Sequence, residues 1–389
     1  MRIAIVTETY PPEINGVALT VAGLAHGLGS AGHHVQVIRP RQAQTDADTG
    51  MEQTVLMRGM RLPLYPGLRL GLPGARRLRA LWKSERPDAI YIATEGLLGR
   101  SALRVARDLC IPVSTGFHTR FDDFARHYGW GFIAPAVFGY LRRFHRRADA
   151  TLVPTSELRD FLDHEGFGNV VLLRRAVDPA LFDPGRRGEL LRTHWGLNPD
   201  QLAVIHVGRI APEKNLALAV RAFRAIREVR PDARFIWVGD GPARAALQKK
   251  NPDFHFCGMQ HGQALARHYA SADLFLFPSL TETFGNVTLE ALASGLPVAA
   301  FDYGAAREHL NEACGRRVPF GDEDGFVRAA CDLARAPELA SSMRNAARRA
   351  VAGLDPQTVT ASFASLLTAL AQPAANDVNP TALANGSVP

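Results

Sequence analysis

Cysteine is scarce. Four residues, Cys110, Cys257, Cys314 and Cys331, stand far apart in 389 and form no CxxC pair. A disulfide framework and a structural zinc site are excluded on that count, and a reducing cytoplasm is the simplest home. Long apolar runs are also missing: no stretch approaches the ~18 apolar residues of a membrane span. The opening segment Met1-Arg2-Ile3-Ala4-Ile5-Val6-Thr7-Glu8 reaches an acid too soon for a secretory signal. Histidines are scattered without HExxH spacing, and no GxGxxG fingerprint is present, which argues against a zincin-like metal site and an NAD-dependent dehydrogenase. No cofactor and no catalytic metal are expected.

What is present suits a two-lobed globular enzyme. A length of 389 residues exceeds one ordinary core, and 47% hydrophobic with 21% charged residues is an ordinary globular composition. Short β-branched runs alternate with longer amphipathic segments, the pattern of parallel sheets wrapped by helices. The α/β class follows, with two Rossmann-like sheets. The first is expected to use strands at 3–6, 35–38, 89–92, 112–115, 151–153 and 170–173, and the second strands at 203–207, 234–238, 254–256, 274–277 and 297–300. Pro179, Pro184 and Gly185 punctuate the segment 179–199, so the expected division is a first domain 1–185, a second domain 186–355, an end helix 356–371 and a loose tail 372–389. Ligands in such sheets bind outside the carboxyl ends of the strands, in a cleft expected between the lobes, so residues directly after strands carry most weight.

Glu282 and Glu290 stand eight residues apart around Gly285, which opens a helix. Gly285 permits close backbone approach, and the amides of Asn286 and Val287 form a partial positive pole suited to phosphate. The two carboxylates can then accept hydrogen bonds from hydroxyls on either side of a bound diphosphate. Arg209 and Lys214 follow the strand at 203–207, where two cations can stabilise a departing diphosphate; a local salt-bridge set with Glu213 is the competing reading. His118 follows the strand at 112–115. Gly16 sits at the mouth of a helix after the first strand, with Asn15 as a further amide donor. Gly241 and Met259 lie in post-strand loops suited to reading a nucleobase. Two Asp-x-Asp matches exist: Asp46 and Asp48 fall in a polar connector, and Asp322 and Asp324 read as a capped helix start.

This set resembles the retaining glycosyltransferases of the GT-B fold, the large family four of bacterial mannosyl-, glucosyl- and lipid glycosyltransferases. The resemblance spans the chain to about residue 371. It rests on Glu282 and Glu290, on Arg209 with Lys214, on Phe117-His118-Thr119, on Gly239-Asp240-Gly241-Pro242 and on Asp302-Tyr303-Gly304, with Asn15-Gly16 where the family usually has two glycines. It implies two Rossmann-like domains facing a central cleft, with the end helix crossing back to the first. It implies that Glu282 holds donor-sugar hydroxyls, Glu290 the nucleotide ribose, Arg209 and Lys214 the diphosphate, and that His118 approaches the reaction centre. Asp122, Asp123, Arg126 and Tyr128 would shape the acceptor side. The implied activity is metal-independent transfer of a hexosyl unit from a nucleotide-diphosphate sugar, UDP- or GDP-linked. The acceptor is expected to be a membrane glycolipid precursor such as diacylglycerol, with a surface polysaccharide or polyprenyl-linked saccharide as the alternative. A non-catalytic nucleotide-sugar sensor is the alternative of another class.

The net charge of +7 is unevenly placed. Arg76, Arg77, Arg79 and Lys83 crowd the segment 58–86 against Glu85 alone, and Arg142, Arg143, Arg146 and Arg147 form a second knot. Interleaved with Leu68, Leu70, Leu72, Leu78, Leu81, Trp82, Phe138, Tyr140 and Leu141, these clusters suit an anionic membrane surface. Peripheral attachment to the inner face of the cytoplasmic membrane is the corresponding expectation. No nucleic-acid-binding motif accompanies them.

Overall fold

The structure, a computed structural model, describes residues 1–13, 15–41, 53–61, 69–118, 134–335 and 340–372. Asp46, Asp48, Asp122, Asp123, Arg126, Tyr128 and the tail from residue 373 lie outside the described residues. The chain divides into two compact units, Met1–Ala176 with Pro356–Pro389, and Val177–Asp355.

In the first unit, β1 (Arg2–Val6), β2 (His34–Pro40), β3 (Gln53–Met57), β6 (Ala89–Ile92), β7 (Val113–Gly116), β8 (Ala150–Val153) and β9 (Val170–Leu172) form one sheet in the order β3-β2-β1-β6-β7-β8-β9. Every neighbouring pair is parallel, with Ile3 opposite Val35 on one side and Ala89 on the other. A small antiparallel hairpin, β4 (Gly59–Arg61) and β5 (Arg69–Gly71), stands apart from it. Helices cover both faces, so β1 reads as a nearly continuous apolar run. One face packs Val21, Leu24 and Leu28 of the helix Gly16–Ser30 together with Val359, Phe363 and Leu367 of the terminal helix Pro356–Ala371. The other face takes Leu78 and Trp82 of the helix Ala75–Ser84 and Leu98, Ala102 and Val105 of the helix Leu97–Asp108.

In the second unit, β10 (Ala203–Val207), β11 (Arg234–Val238), β12 (His255–Gly258), β13 (Leu274–Phe277), β14 (Val298–Phe301) and β15 (Gly315–Val318) form a parallel sheet in the order β12-β11-β10-β13-β14-β15. Alternation with period two splits its side chains between two cores. Ile205, Ile236, Phe275 and Val298 face the helices Gly262–Ser271 and Asn286–Ala293, while Val204, Phe235, Leu276 and Phe301 face the helices Leu216–Val229 and Glu323–Arg335.

The contact boundary falls before Val177, nine residues ahead of the sequence-based position at 185/186. Val177 and Phe182 are buried in the second unit's core, and the Val177 amide donates to the Leu354 carbonyl at 2.9 Å. Further along, Arg187 and Arg192 reach the carboxylate of Asp273 at 3.0 and 2.9 Å. Punctuation by proline and glycine marks a turn there, while burial assigns that turn to the second unit.

Candidate active site

The strand order reverses between β1 and β6 in the first sheet and between β10 and β13 in the second. Neighbouring crossovers there run to opposite faces, which leaves a crevice at the strands' carboxyl ends. In the second unit the two loops flanking that point carry Arg209, Lys214, Glu282 and Gly285, and the helix Asn286–Ala293 continues from the second of them. Lys214 ends a short 3₁₀ turn, Pro212–Lys214, after β10, and Glu282 lies in the loop after β13. The Leu280 amide donates to the Glu213 carbonyl at 3.0 Å and ties the two loops together.

Lys214 Nζ ion-pairs with Glu282 Oε1, and both side chains are only 16% exposed. The ammonium also sits 5.6 Å from the centroid of the Phe277 ring. Glu282 Oε1 accepts a second hydrogen bond, from Ser279 Oγ at 2.8 Å, and the Ser279 carbonyl in turn accepts from the Tyr303 hydroxyl at 2.7 Å. The carboxylate is thus fixed from its own loop and from the loop after β14. Arg209 points outward at 46% exposure, with Nε 3.7 Å from Glu213 Oε1. Part of the local salt-bridge reading therefore holds for Arg209, whereas Lys214 is committed to Glu282.

Gly285 takes φ +92° and ψ 65° directly before the helix Asn286–Ala293, a conformation that favours glycine. Asn286 and Val287 open that helix, where the first amides have no intrahelical acceptor. Glu290 lies inside it, with the Tyr269 hydroxyl donating to Oε2 at 3.0 Å. Burial pushes the Glu290 carboxyl up to about 7, opposed by that hydrogen bond. Beneath the loops, His206 is fully buried, its Nδ1 on the Leu276 carbonyl at 3.0 Å, and burial lowers it to about 4.

The loops after β11 and β10 pack backbone against backbone. The Ile210 amide donates to the Asp240 carbonyl at 2.9 Å, and a Cβ on Gly241 would stand 2.4 Å from the Ile210 carbonyl oxygen. Gly241 is thus required by loop contact, apart from any ligand. Met259, 54% exposed, follows Gly258, which has φ +69°. Asp322 accepts from the Gly325 amide at 2.8 Å and caps the helix Glu323–Arg335, while Asp324 pairs with Arg221.

In the first unit, Gly16 is exposed at the start of its helix. Asn15, read from sequence as a further amide donor to a ligand, is committed within the protein. Its Oδ1 accepts from Val17 and Ala18 at 3.1 and 2.8 Å, and its Nδ2 donates to Thr9 Oγ1 at 2.7 Å. An N-cap competes directly with a ligand for those amides. His118 is buried after β7, with Nδ1 accepting from Arg175 Nη2 and Nε2 at 2.7 Å from the Tyr91 hydroxyl. An arginine can only donate, so Nδ1 is the acceptor and Nε2 carries the proton. Burial, then Arg175 and His145, hold the ring far below its ordinary pKa, so it is neutral.

Sequence reading missed an acidic network beside it. Glu8 Oε1 accepts from the Leu98 amide at 3.1 Å at the start of the helix Leu97–Asp108, and a Cβ on Gly96 would fall 2.0 Å from that oxygen. Burial pushes Glu8 up to about 7. Glu95 Oε1 lies 3.2 Å from His145 Nε2, and His145 Nδ1 lies 2.8 Å from Thr115 Oγ1. The available signal was position: Glu8 and Glu95 each come within three residues of a strand end at the switch point.

The basic clusters need one correction. Leu78 and Trp82 are 0% and 1% exposed, and Leu141 and Phe144 are likewise buried. These four side chains face the core at helical spacing and offer nothing to a bilayer, whereas Tyr140 is 38% exposed. Arg76, Arg77 and Lys83 remain exposed, and Arg79 pairs with Asp108.

Comparison with known proteins agrees with this architecture. The family model for glycosyltransferase family 4 matches residues 14–181, and that for glycosyl transferases group 1 matches residues 201–336. A GDP-mannose-dependent alpha-mannosyltransferase of Mycobacterium tuberculosis is 36% identical over 335 residues, covering 83% of this chain and 85% of the relative. An alpha-monoglucosyldiacylglycerol synthase of Streptococcus pneumoniae is 29% identical, over 77% of this chain and 71% of the relative. Among solved structures, a sucrose-phosphate synthase of Thermosynechococcus elongatus superposes with a TM-score of 0.77 at 20% identity, covering 95% of this chain and 98% of that one. The chain belongs to the family 4, group 1 glycosyltransferases and has their GT-B fold of two Rossmann-like domains. It is an enzyme of that class.

Proposed function

We propose that this glycosyltransferase moves a mannosyl unit from GDP-mannose to a membrane-lipid acceptor, with retention and without a catalytic metal. The carrying observation is the similarity, over 83% of the chain, to a GDP-mannose-dependent alpha-mannosyltransferase. Likeness to a diacylglycerol glucosyltransferase supports the lipid acceptor. Lys214 and Arg209, with the amides of Asn286 and Val287, take the diphosphate. Glu282 and His118 orient the sugar, Glu290 holds the ribose, and the loops of Gly241 and Met259 flank the base. In a front-face reaction the bond from the anomeric carbon to the phosphate oxygen breaks as the acceptor hydroxyl bonds to that carbon from the same side. The acceptor's proton passes to a donor phosphate oxygen, and the products are a glycoside and the nucleoside diphosphate. Positioning and fixed charge are the protein's contribution.

The test incubates purified protein with labelled GDP-mannose, UDP-glucose and UDP-galactose separately, each with a lipid extract containing diacylglycerol and phosphatidylinositol. Mass spectrometry should find a mannolipid from GDP-mannose, formed equally in EDTA. A product from a UDP-sugar alone overturns the donor, mannosylation of saccharide but not lipid overturns the acceptor, and a metal-reversible loss in EDTA overturns the metal-free mechanism.

Glu290 gives the nucleotide step a pH dependence. Burial holds its carboxyl up at about 7, and ribose hydroxyls donate more strongly to the carboxylate than to the neutral acid. GDP affinity is therefore greatest above pH 7 and falls as pH drops through that value, by up to about tenfold at pH 6. Calorimetry at pH 6 and 8 should show the Glu290 share of this dependence vanish in Glu290→Gln. Identical pH profiles in the two proteins would refute the ribose assignment.

Exposed Arg76, Arg77 and Lys83, together with Arg79, form the proposed membrane-facing patch, acting by charge alone. Each basic group near an anionic leaflet contributes about 1 kcal/mol, screened by salt. Serine at all four positions should abolish sedimentation with phosphatidylglycerol vesicles at low salt while GDP affinity stays unchanged. Wild-type protein that ignores such vesicles removes the patch from the proposal.

A further inference from the structure

Arg175 comes just after β9, at the carboxyl edge of the first sheet, with its guanidinium half-buried and Nη2 donating to His118 Nδ1 at 2.5 Å. Among the described residues no ion pair forms with it. Two buried acids of this unit are already engaged: Glu8 with the Leu98 amide and Glu95 with His145. Arg192, fully buried in the second unit, shows how this protein otherwise places such a group. Its guanidinium meets the Asp273 carboxylate at 2.9 Å and the carbonyls of Ser271 and Pro199 at 2.8 and 3.1 Å. Burying a cation against a neutral imidazole is unfavourable unless an anion arrives.

We propose that Arg175 is a binding residue for a substrate phosphate oxygen, taken by the N–H groups of its fork that His118 does not use. The inference rests on the reading that places His118 at the reaction centre. Contact with His118 Nδ1 fixes the plane of the guanidinium, and a planar fork of fixed orientation suits two oxygens of one phosphate. Such a group is carried by the diphosphate of the sugar donor and, where the lipid acceptor is a phospholipid and not diacylglycerol, by its headgroup.

Calorimetry on the full chain separates the two sources. GDP is titrated into wild type, Arg175→Gln and Arg175→Lys, and glycerol 3-phosphate is then titrated into each protein saturated with GDP. Thermal melting establishes that each variant is folded. Arg175→Gln should weaken one of the two titrations by tenfold or more, with partial recovery in Arg175→Lys. Loss in the first assigns the donor diphosphate, and loss in the second assigns the acceptor phosphate. If a folded Arg175→Gln binds GDP within twofold of wild type, and no glycerol 3-phosphate binding depends on Arg175, the proposal is overturned. Turnover by His118→Ala is scored separately. Wild-type turnover there would defeat the reaction-centre reading whatever Arg175 binds.

Discussion

Lys214→Ala lowers turnover by about 10²–10³-fold in a protein that remains folded, corresponding to the loss of about 2.7–4 kcal/mol of transition-state stabilisation. The size follows from the setting of the ammonium. At 16% exposure, held by Glu282 and resting near the Phe277 ring, it is preorganised and poorly screened. Charge building on a leaving diphosphate then meets a cation that needs no rearrangement of solvent. Removing it also strips Glu282 of its counter-charge, so the truncation affects both proposed contacts at once. Arg209→Ala should fall near the lower end of the same range, because a side chain 46% exposed is screened by water. Steady-state rates at saturating donor, alongside circular dichroism, check both. Near-normal rates in both folded variants would remove the proposed diphosphate clamp.

Gly239→Ala is expected to destabilise the second unit by about 2–6 kcal/mol, adding backbone strain to a steric collision. Gly239 has φ +133°, and a Cβ there would lie 1.9 Å from the Gly208 carbonyl oxygen. Gly208 itself has φ +148°, so the loops leaving β10 and β11 touch through two residues that L side chains fit poorly. Gly321→Ala is the control: φ is +85° there, yet no atom lies within 4 Å of the added methyl. Urea unfolding should show the control losing about 1 kcal/mol and Gly239→Ala several times that. Equal losses would mean that the loops separate without cost.

The sheets were legible where burial on both faces forces an apolar run, as in Leu274–Phe277 or Ala89–Ile92. Two of the four edge strands of the parallel sheets, β3 and β15, escaped notice because they lack that constraint. β15 reads Gly-Arg-Arg-Val, with exposed Arg317 at its centre, and β3 begins with an exposed Gln53. At the site, the elements holding Glu282, Gly285 and Glu290 followed from one contiguous motif. The pairing of Lys214 with Glu282 did not, since it joins residues 68 positions apart. His118 shows a subtler limit. Sequence marks a histidine after a strand, but its tautomer depends on Arg175, 57 residues later, and on Tyr91, 27 residues earlier. The apolar residues of the basic clusters misled in the opposite direction: helical spacing hides which face turns inward until the core is known.

The terminal helix Pro356–Ala371 sets an order of events during synthesis. Val359, Phe363 and Leu367 are integral to the first unit's core, with Phe363 edge-on to Tyr91 at 5.1 Å, yet they are translated after the whole of the second unit. A ribosome-bound chain stopped at residue 355 holds every residue of the second unit, while the first still exposes the face of Val21, Leu24 and Tyr91. The half begun first is completed last, so a nascent chain gains its second unit before its N-terminal unit is sealed.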